Sequence, residues 1–293
     1  SPSIIGTIIL AASSLHAATV FDNIGVGDGN LNDPGNWTNG LPSAGNEGTT
    51  TADGTLSGVF SNGGERFVIH SNISTGSNMM NIGGVGDRLF IGETTSGSLT
   101  VNNLGELQVA GTGEDVRIGT NGGTGSLIFE NGSTIDARKD IHVIDGLLHF
   151  GSNVNSGGGL QEALIIGDNG TIRFDIDGSF NNHTMVGSTL PLELRASSTL
   201  ALNFAAAPVT GTTFDLISGV TGFYSGGVNN VGNNGTGTGT FGNINATGLG
   251  AGQSVDVIYN TGGGLLQVTV IPEPSAAALL GLGGLALILR RRK

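Results

Sequence analysis

Several groups of side chains in this sequence have types and spacings that invite a chemical reading. Asp28, Asn30, Asn32 and Asp33 offer oxygen ligands at positions one, three, five and six of a loop. A calcium loop of the EF-hand kind wants the first three, but also a Gly at the sixth place and a Glu at the twelfth. Asp33 and Asn39 stand there instead, so a capping turn is the better reading. Arg173, Asp175 and Asp177 alternate with Ile172, Phe174 and Ile176, which puts the three charges on one outward strand face. Parallel β-helices that cleave acidic polysaccharides use outward carboxylates with basic partners. Two acids and one Arg read more simply as a solvated face. Asp136, Arg138, Lys139 and Asp140 cluster next to a turn, where charge is expected.

His142 and His149 lie seven apart with no acid or Cys at metal-ligand spacing, and His70 and His183 are isolated. The chain has no Gly-x-Ser-x-Gly element and no phosphate-loop lysine. Gly83, Gly84 and Gly86 lack the strand–turn–helix context of a nucleotide fingerprint. The expectation is a protein that is not an enzyme, with no catalytic residue, no metal site and no cofactor.

The elements that must carry these residues are foreshadowed by composition. Among 293 residues there are 54 Gly, 7 Pro and no Cys, and 12% are charged. Glycine so abundant without a three-residue period excludes collagen and points to many tight turns. An apolar share of 37% still fills a core. Without Cys, stability must come from packing and backbone hydrogen bonds rather than disulfides. Net charge is −12, and four of the 11 basic residues are the last four. So acidic a surface repels phosphate backbones and argues against nucleic-acid binding.

Both ends read as addresses. Ile4 to Leu15 is apolar and small and ends Ser14-Leu15-His16-Ala17-Ala18, like the apolar region and cleavage site of a signal peptide with a truncated start. Cleavage after Ala17 or Ala18 starts the mature chain near Thr19. At the other end, Ile271-Pro272-Glu273-Pro274 precedes an apolar run from Ala276 to Leu289 and then Arg290-Arg291-Arg292-Lys293. The run is short for a full span of about 20 residues, and the basic cluster belongs on the cytoplasmic side. The two prolines stop a helix from propagating upstream and leave an extended segment before the membrane. This order resembles the PEP-CTERM sorting signal of Gram-negative bacteria. The resemblance covers the last 23 residues. It implies recognition of Pro272, Glu273 and Pro274 by an exosortase-type processing enzyme, with Arg290, Arg291, Arg292 and Lys293 as a membrane-stop cluster. It further implies removal of the tail and delivery to the cell surface or the extracellular polysaccharide.

Between the addresses the sequence is self-similar. Leu89-Phe90-Ile91-Gly92, Gly97-Ser98-Leu99-Thr100-Val101 and Gly105-Glu106-Leu107-Gln108-Val109 are answered by Val116-Arg117-Ile118-Gly119, Gly125-Ser126-Leu127-Ile128-Phe129 and Ser133-Thr134-Ile135. Asp140 to Val143 with Gly146 to Phe150, and Leu164 to Gly167 with Gly170 to Ile176, continue the pattern. Each segment alternates with period two. A repeat near 27 residues cannot bury its own apolar face, so neighbours must stack. The expected fold class is all-β: a parallel β-solenoid (β-helix) with a β-rich C-terminal section and a short C-terminal transmembrane helix. The competing reading is a β-sandwich of hairpins. In the solenoid, Ile91, Ile118 and Ile166 fall in an internal ladder and the following Gly turns the corner.

The expected divisions are a signal peptide over 1–18, an N-terminal cap with Trp37 over 19–60 and solenoid repeats over 61–198. A C-terminal β section over 199–270 follows, with a mobile Gly/Asn/Thr-rich loop from Ser225 to Thr240. The sorting signal occupies 271–293. The function expected is an exported cell-surface or extracellular-matrix protein, structural or adhesive, with extracellular polysaccharide as a partner. It passes through an inner-membrane intermediate held by its C-terminal helix. The alternative is a polysaccharide lyase or hydrolase on a β-helix scaffold.

Overall fold

A computed structural model describes residues 17–22, 28–42, 46–62, 66–83, 88–102, 104–109, 115–130, 132–137, 140–160, 163–178, 180, 183–184, 191–225 and 239–273. They are nearly all β. The described residues contain no α-helix, only a short 3-10 turn at Pro34–Asn36 whose Gly35 N–H is capped by the Asp33 side chain. No helix among them is long and apolar enough to cross a membrane. The expected helix over 276–289 lies outside the described residues, as does the signal segment before Ala17.

Short strands pair in parallel with segments far away in sequence, as alternating segments separated by turns require once hairpins are excluded. One ladder runs through Asn46–Thr50, Arg66–Ile69, Arg88–Ile91, Val116–Ile118, the start of Ile141–Phe150, the start of Leu164–Ile176, Pro191–Leu194 and Gly222–Tyr224. Ile69, Ile91, Ile118, Val143, Ile166 and Leu194 stand over one another in it, all essentially unexposed. The ladder read from the sequence at Ile91, Ile118 and Ile166 is therefore present, with Val143 as the missing rung.

A second ladder runs through Asn72–Ser74, Gly97–Val101, Gly125–Phe129, the ends of the two long strands, Thr199–Phe204 and Asn243–Thr247. Its inward column includes Leu99, Leu127, Leu148, Ile172 and Leu200. Beside it Phe129, Phe150 and Phe174 stack with ring centroids 5.7 and 5.6 Å apart and nearly parallel planes. The parallel pairing thus continues past Thr199. A separate five-stranded sheet joins Phe60–Asn62, Met79–Ile82, Glu106–Val109, Thr134–Ala137 and Asn155–Leu160, all parallel. It turns Phe60, Met80, Leu107 and Ile135 into the same apolar core.

The bend between the first two ladders is lined by glycines in register: Gly97, Gly125, Gly146 and Gly170. A Cβ on Gly125 would run into the Ile91 carbonyl, and one on Gly170 into the Val143 carbonyl. At Gly119 the backbone also takes φ +67°, a left-handed conformation that side chains resist.

Residues 28–40 pack against the first strands. Trp37 packs on Phe21, Phe60 and Phe67 and donates its indole N–H to the Leu31 carbonyl at 2.9 Å. At the C-terminal end, Thr213–Ser218 and Gln253–Asn260 flank Leu265–Pro272 in an antiparallel sheet, joined by the short strand His183–Thr184. Tyr259 of that sheet packs against Phe223 and Phe241. Residues 226–238, most of the expected Ser225–Thr240 loop, lie outside the described residues.

Truncating Phe150 to Ala removes the middle ring of the stack from a fully buried site, and is expected to cost about 3–5 kcal/mol. Val209→Ala, at a 77% exposed position, is expected to stay within about 0.5 kcal/mol of the parent. Urea unfolding of both variants checks the pair.

Candidate functional site

The strand Leu265–Pro272 buries Leu266, Val268 and Val270 completely, and its outward residues Gln267, Thr269 and Ile271 are half-buried. The sequence reads this strand only to Val270; it continues two residues further, into the Pro-Glu-Pro segment. The continuation follows from which way each peptide group faces. Val270 turns its N–H and C=O to the Thr213 side, where it bonds Thr212 and Gly211 at 2.9 and 2.7 Å. Because backbone groups alternate sides along a strand, Pro272 faces that same side, beyond the end of its partner strand. Its missing N–H therefore costs no ladder bond. Glu273 faces the other side and donates its N–H to the Gly252 carbonyl at 2.8 Å.

The turn that receives Glu273 is held by side chains. Gly252 takes φ +72°. The Gln253 amide donates to the Pro208 carbonyl at 2.8 Å and the Thr210 hydroxyl at 3.0 Å, and its Oε1 accepts the Gly250 N–H at 2.7 Å. No motif in the sequence signals Gln253. Pro272 and Glu273 are exposed, whereas Pro274, Arg290, Arg291, Arg292 and Lys293 lie outside the described residues.

Arg173 and Asp175 share an outward face, as the alternation implies, and pair with each other, while the further partners of Asp175 come from neighbouring strands. Arg173 grips Asp175 Oδ1 through Nε and Nη2 at 3.0 and 2.8 Å, and the Asn203 amide donates to the same oxygen at 3.0 Å. His149 Nε2 lies 2.9 Å from Oδ2. Burial alone would push the Asp175 carboxyl up. The bonds from Asn203, His149 and Arg173 outweigh it and hold the group below the usual carboxylate range. Asp177 accepts from the Ser152 hydroxyl at 2.7 Å. Beside this network lies an open cleft of about 360 Å³, lined by Glu130, Ser152, Asn153, Asp177 and their neighbours. A carboxylate so fully bonded is a staple between strands, poorly placed to donate or accept a proton from a substrate.

In the N-terminal loop, Asp28 Oδ1 accepts from the Asn30 N–H and the Asn36 amide, Asn30 Oδ1 from the Asn32 N–H, and Asp33 Oδ1 from the Gly35 N–H. Asn32 Oδ1 in turn accepts the Ser57 N–H at 3.1 Å, so each of the four residues has a side-chain oxygen engaged by a protein donor. One grouping escaped the sequence reading: Asp115, Asp140 and His142 each bring a ligand atom within 4.8 Å of the others. Asp115 is already paired with Arg117 at 2.8 Å, and Asp140 accepts the Ala163 N–H at 2.8 Å. Only strand pairing brings Asp115 beside Asp140, so spacing along the chain gave no signal. His70 sits apart from this group, and burial lowers its pKa, with Glu93 opposing and Arg66 adding to the shift. Arg138 and Lys139 lie outside the described residues.

Residues 270–293 match the family model of the PEP-CTERM protein-sorting motif. No curated protein and no solved structure matches the chain. The matched span begins at Val270, inside the last strand, so the sorting motif is continuous with the folded sheet. The motif supports an exported protein sorted by an exosortase-type system.

Asp175→Asn is expected to destabilise the fold at pH 7 by roughly 1–3 kcal/mol, since it weakens charge-assisted bonds. The parent carboxyl titrates lower folded than unfolded, so its contribution is full above the unfolded pKa of about 4 and fades as pH falls through the folded value. The gap between the denaturation midpoints of parent and variant, measured from pH 7 down to pH 3, should therefore narrow toward the acid end.

Proposed function

We propose that this chain is a structural or adhesive protein of the Gram-negative cell surface or extracellular matrix, delivered there by exosortase-type processing of its tail. The observation that carries the reading is the match of residues 270–293 to the sorting motif, joined directly to a folded strand. In this reading Pro272, Glu273 and Pro274 are what the enzyme recognises. Residues 276–289 form the short transmembrane helix of the inner-membrane intermediate, and Arg290, Arg291, Arg292 and Lys293 hold it from the cytoplasmic side. Cleavage after Ala18 at the other end leaves Thr19–Phe21 to pair with Gly48–Thr50.

The exported part is a β-solenoid in this proposal: residues 61–198 wind as coils whose three sides are the three parallel ladders. Residues 19–60 cap them, and residues 199–270 close the far end. Parallel register at offsets of 27 residues for Ile91 and Ile118 and 28 for Leu99 and Leu127 supports that winding. Such a rod presents rows of small polar groups. Asn72, Ser98 and Ser126 follow one another across the second ladder, and the Ser98 hydroxyl donates to Asn72 Oδ1 at 2.7 Å. Weak contacts repeated along a row suit a polysaccharide chain bound multivalently. A polysaccharide lyase or hydrolase is the second reading. It draws on the cleft beside Asp177 and Glu130, but leaves Asp175 committed to four protein donors. A structural role needs no free carboxylate, and we place it first.

In its native host the protein is expected in the extracellular fraction, with an intact mass lacking Arg290 to Lys293. Glu273→Ala is expected to keep the tail and to remain with the membranes. A parent protein that retains Lys293 and sits wholly in the membrane fraction overturns the sorting reading.

A further inference from the structure

The sorting reading leaves open where the tail is cut, and the sheet register speaks to that. Processing enzymes that cleave a polypeptide bind it as an extended strand, drawing main-chain hydrogen bonds from residues on either side of the scissile peptide. Residues 265–271 are held in the sheet, and Pro272 has only its carbonyl to offer, on the side where the partner strand has ended. Gln253–Asn260 pairs with every one of them, from Asn260 against Leu265 to Gln253 against Pro272. On the opposite side Thr213–Ser218 and its lead-in hold the strand up to Val270. The pairing does not fray at its end. Glu273 adds one further bond to Gly252, whose turn is locked by three hydrogen bonds from the Gln253 side chain.

We infer that the sheet sets the position of the cut: exosortase-type processing falls on the C-terminal side of Glu273, and the mature protein keeps Glu273 bonded to Gly252. Gln253 is then a positioning residue. It touches nothing that reacts, but it fixes the last peptide the sheet withholds. The inference rests on the sorting reading and adds to it a boundary that the motif alone does not give. The step itself is attack by a nucleophile of the processing enzyme on the carbonyl carbon of one tail peptide, with its C–N bond breaking and the amine leaving, protonated, with the apolar segment. The acyl end of the folded part is then released by water as a carboxylate or passed to an acceptor nucleophile.

The C-terminal peptide of the mature protein, recovered from a host in which other motif-bearing proteins are processed, decides the matter by mass. A terminus at Glu273 or later is the expected result. A terminus at Pro272 or earlier overturns the inference while leaving the sorting reading intact, because it requires the ladder to open before the cut. An intact tail overturns both. The cause is tested separately by digesting the full-length, detergent-solubilised protein with a protease of broad specificity. Trimming of the parent should stop at or after Glu273. In Gln253→Ala it should advance into the strand, and Gln253→Glu, which keeps the acceptor but loses both donors, should fall between them. Equal trimming of all three, with unfolding midpoints unchanged, removes Gln253 from the inference.

Discussion

Every rung of a parallel ladder must set its inward side chain over the one before it, and this constraint decides most of what the molecule can be. A slip of one residue would turn a whole segment's apolar set outward. The column Ile69, Ile91, Ile118, Val143, Ile166, Leu194 holds that register along one side and Leu99, Leu127, Leu148, Ile172, Leu200 along another. Chain length between rungs is free to vary in the turns, but the inward positions are not. The glycines at the bend belong to the same constraint: only a residue without Cβ lets the two sides approach closely enough for both columns to share one core.

Outward positions inherit their neighbours from that register rather than from their own sequence context. Arg173 meets His149, and Asp175 meets Asn203, because Phe150, Phe174 and Leu202 are stacked beneath them. The same arithmetic places Asp115 next to Asp140 and lines up Asn72, Ser98 and Ser126. The surface chemistry of this protein is thus a by-product of core packing, repeated at the spacing of adjacent strands, about 4.8 Å. That spacing favours rows of equivalent polar groups over a single convergent pocket.

How much of this was legible varies with the range of the interaction. Ile91, Ile118 and Ile166 could be aligned from the sequence because each sits in an alternating segment followed by Gly, and the register they imply is the one observed. The Phe60, Met80, Leu107, Ile135 side was partly hidden, since its first two strands carry no recognisable echo of the later ones. Arg173 could be placed beside Asp175 from the alternation, but the bonds from His149 and Asn203 were not legible, for they depend on which residues lie 26 and 28 positions away. The extension of the last strand through Pro272 was hidden for a different reason. A proline is ordinarily read as the end of pairing, and only the side faced by Val270 and Glu273 shows that no bond is lost.

The strand Leu265–Pro272 lies between two partners, and Glu273, one residue beyond it, is still bonded to the sheet. A pull applied at Glu273 in line with the strand acts along its own axis. The hydrogen bonds on both flanks are then loaded together in shear instead of yielding one after another as in an unzipped hairpin. With no disulfide to bear tension, such a load is carried by the pairing of this one strand.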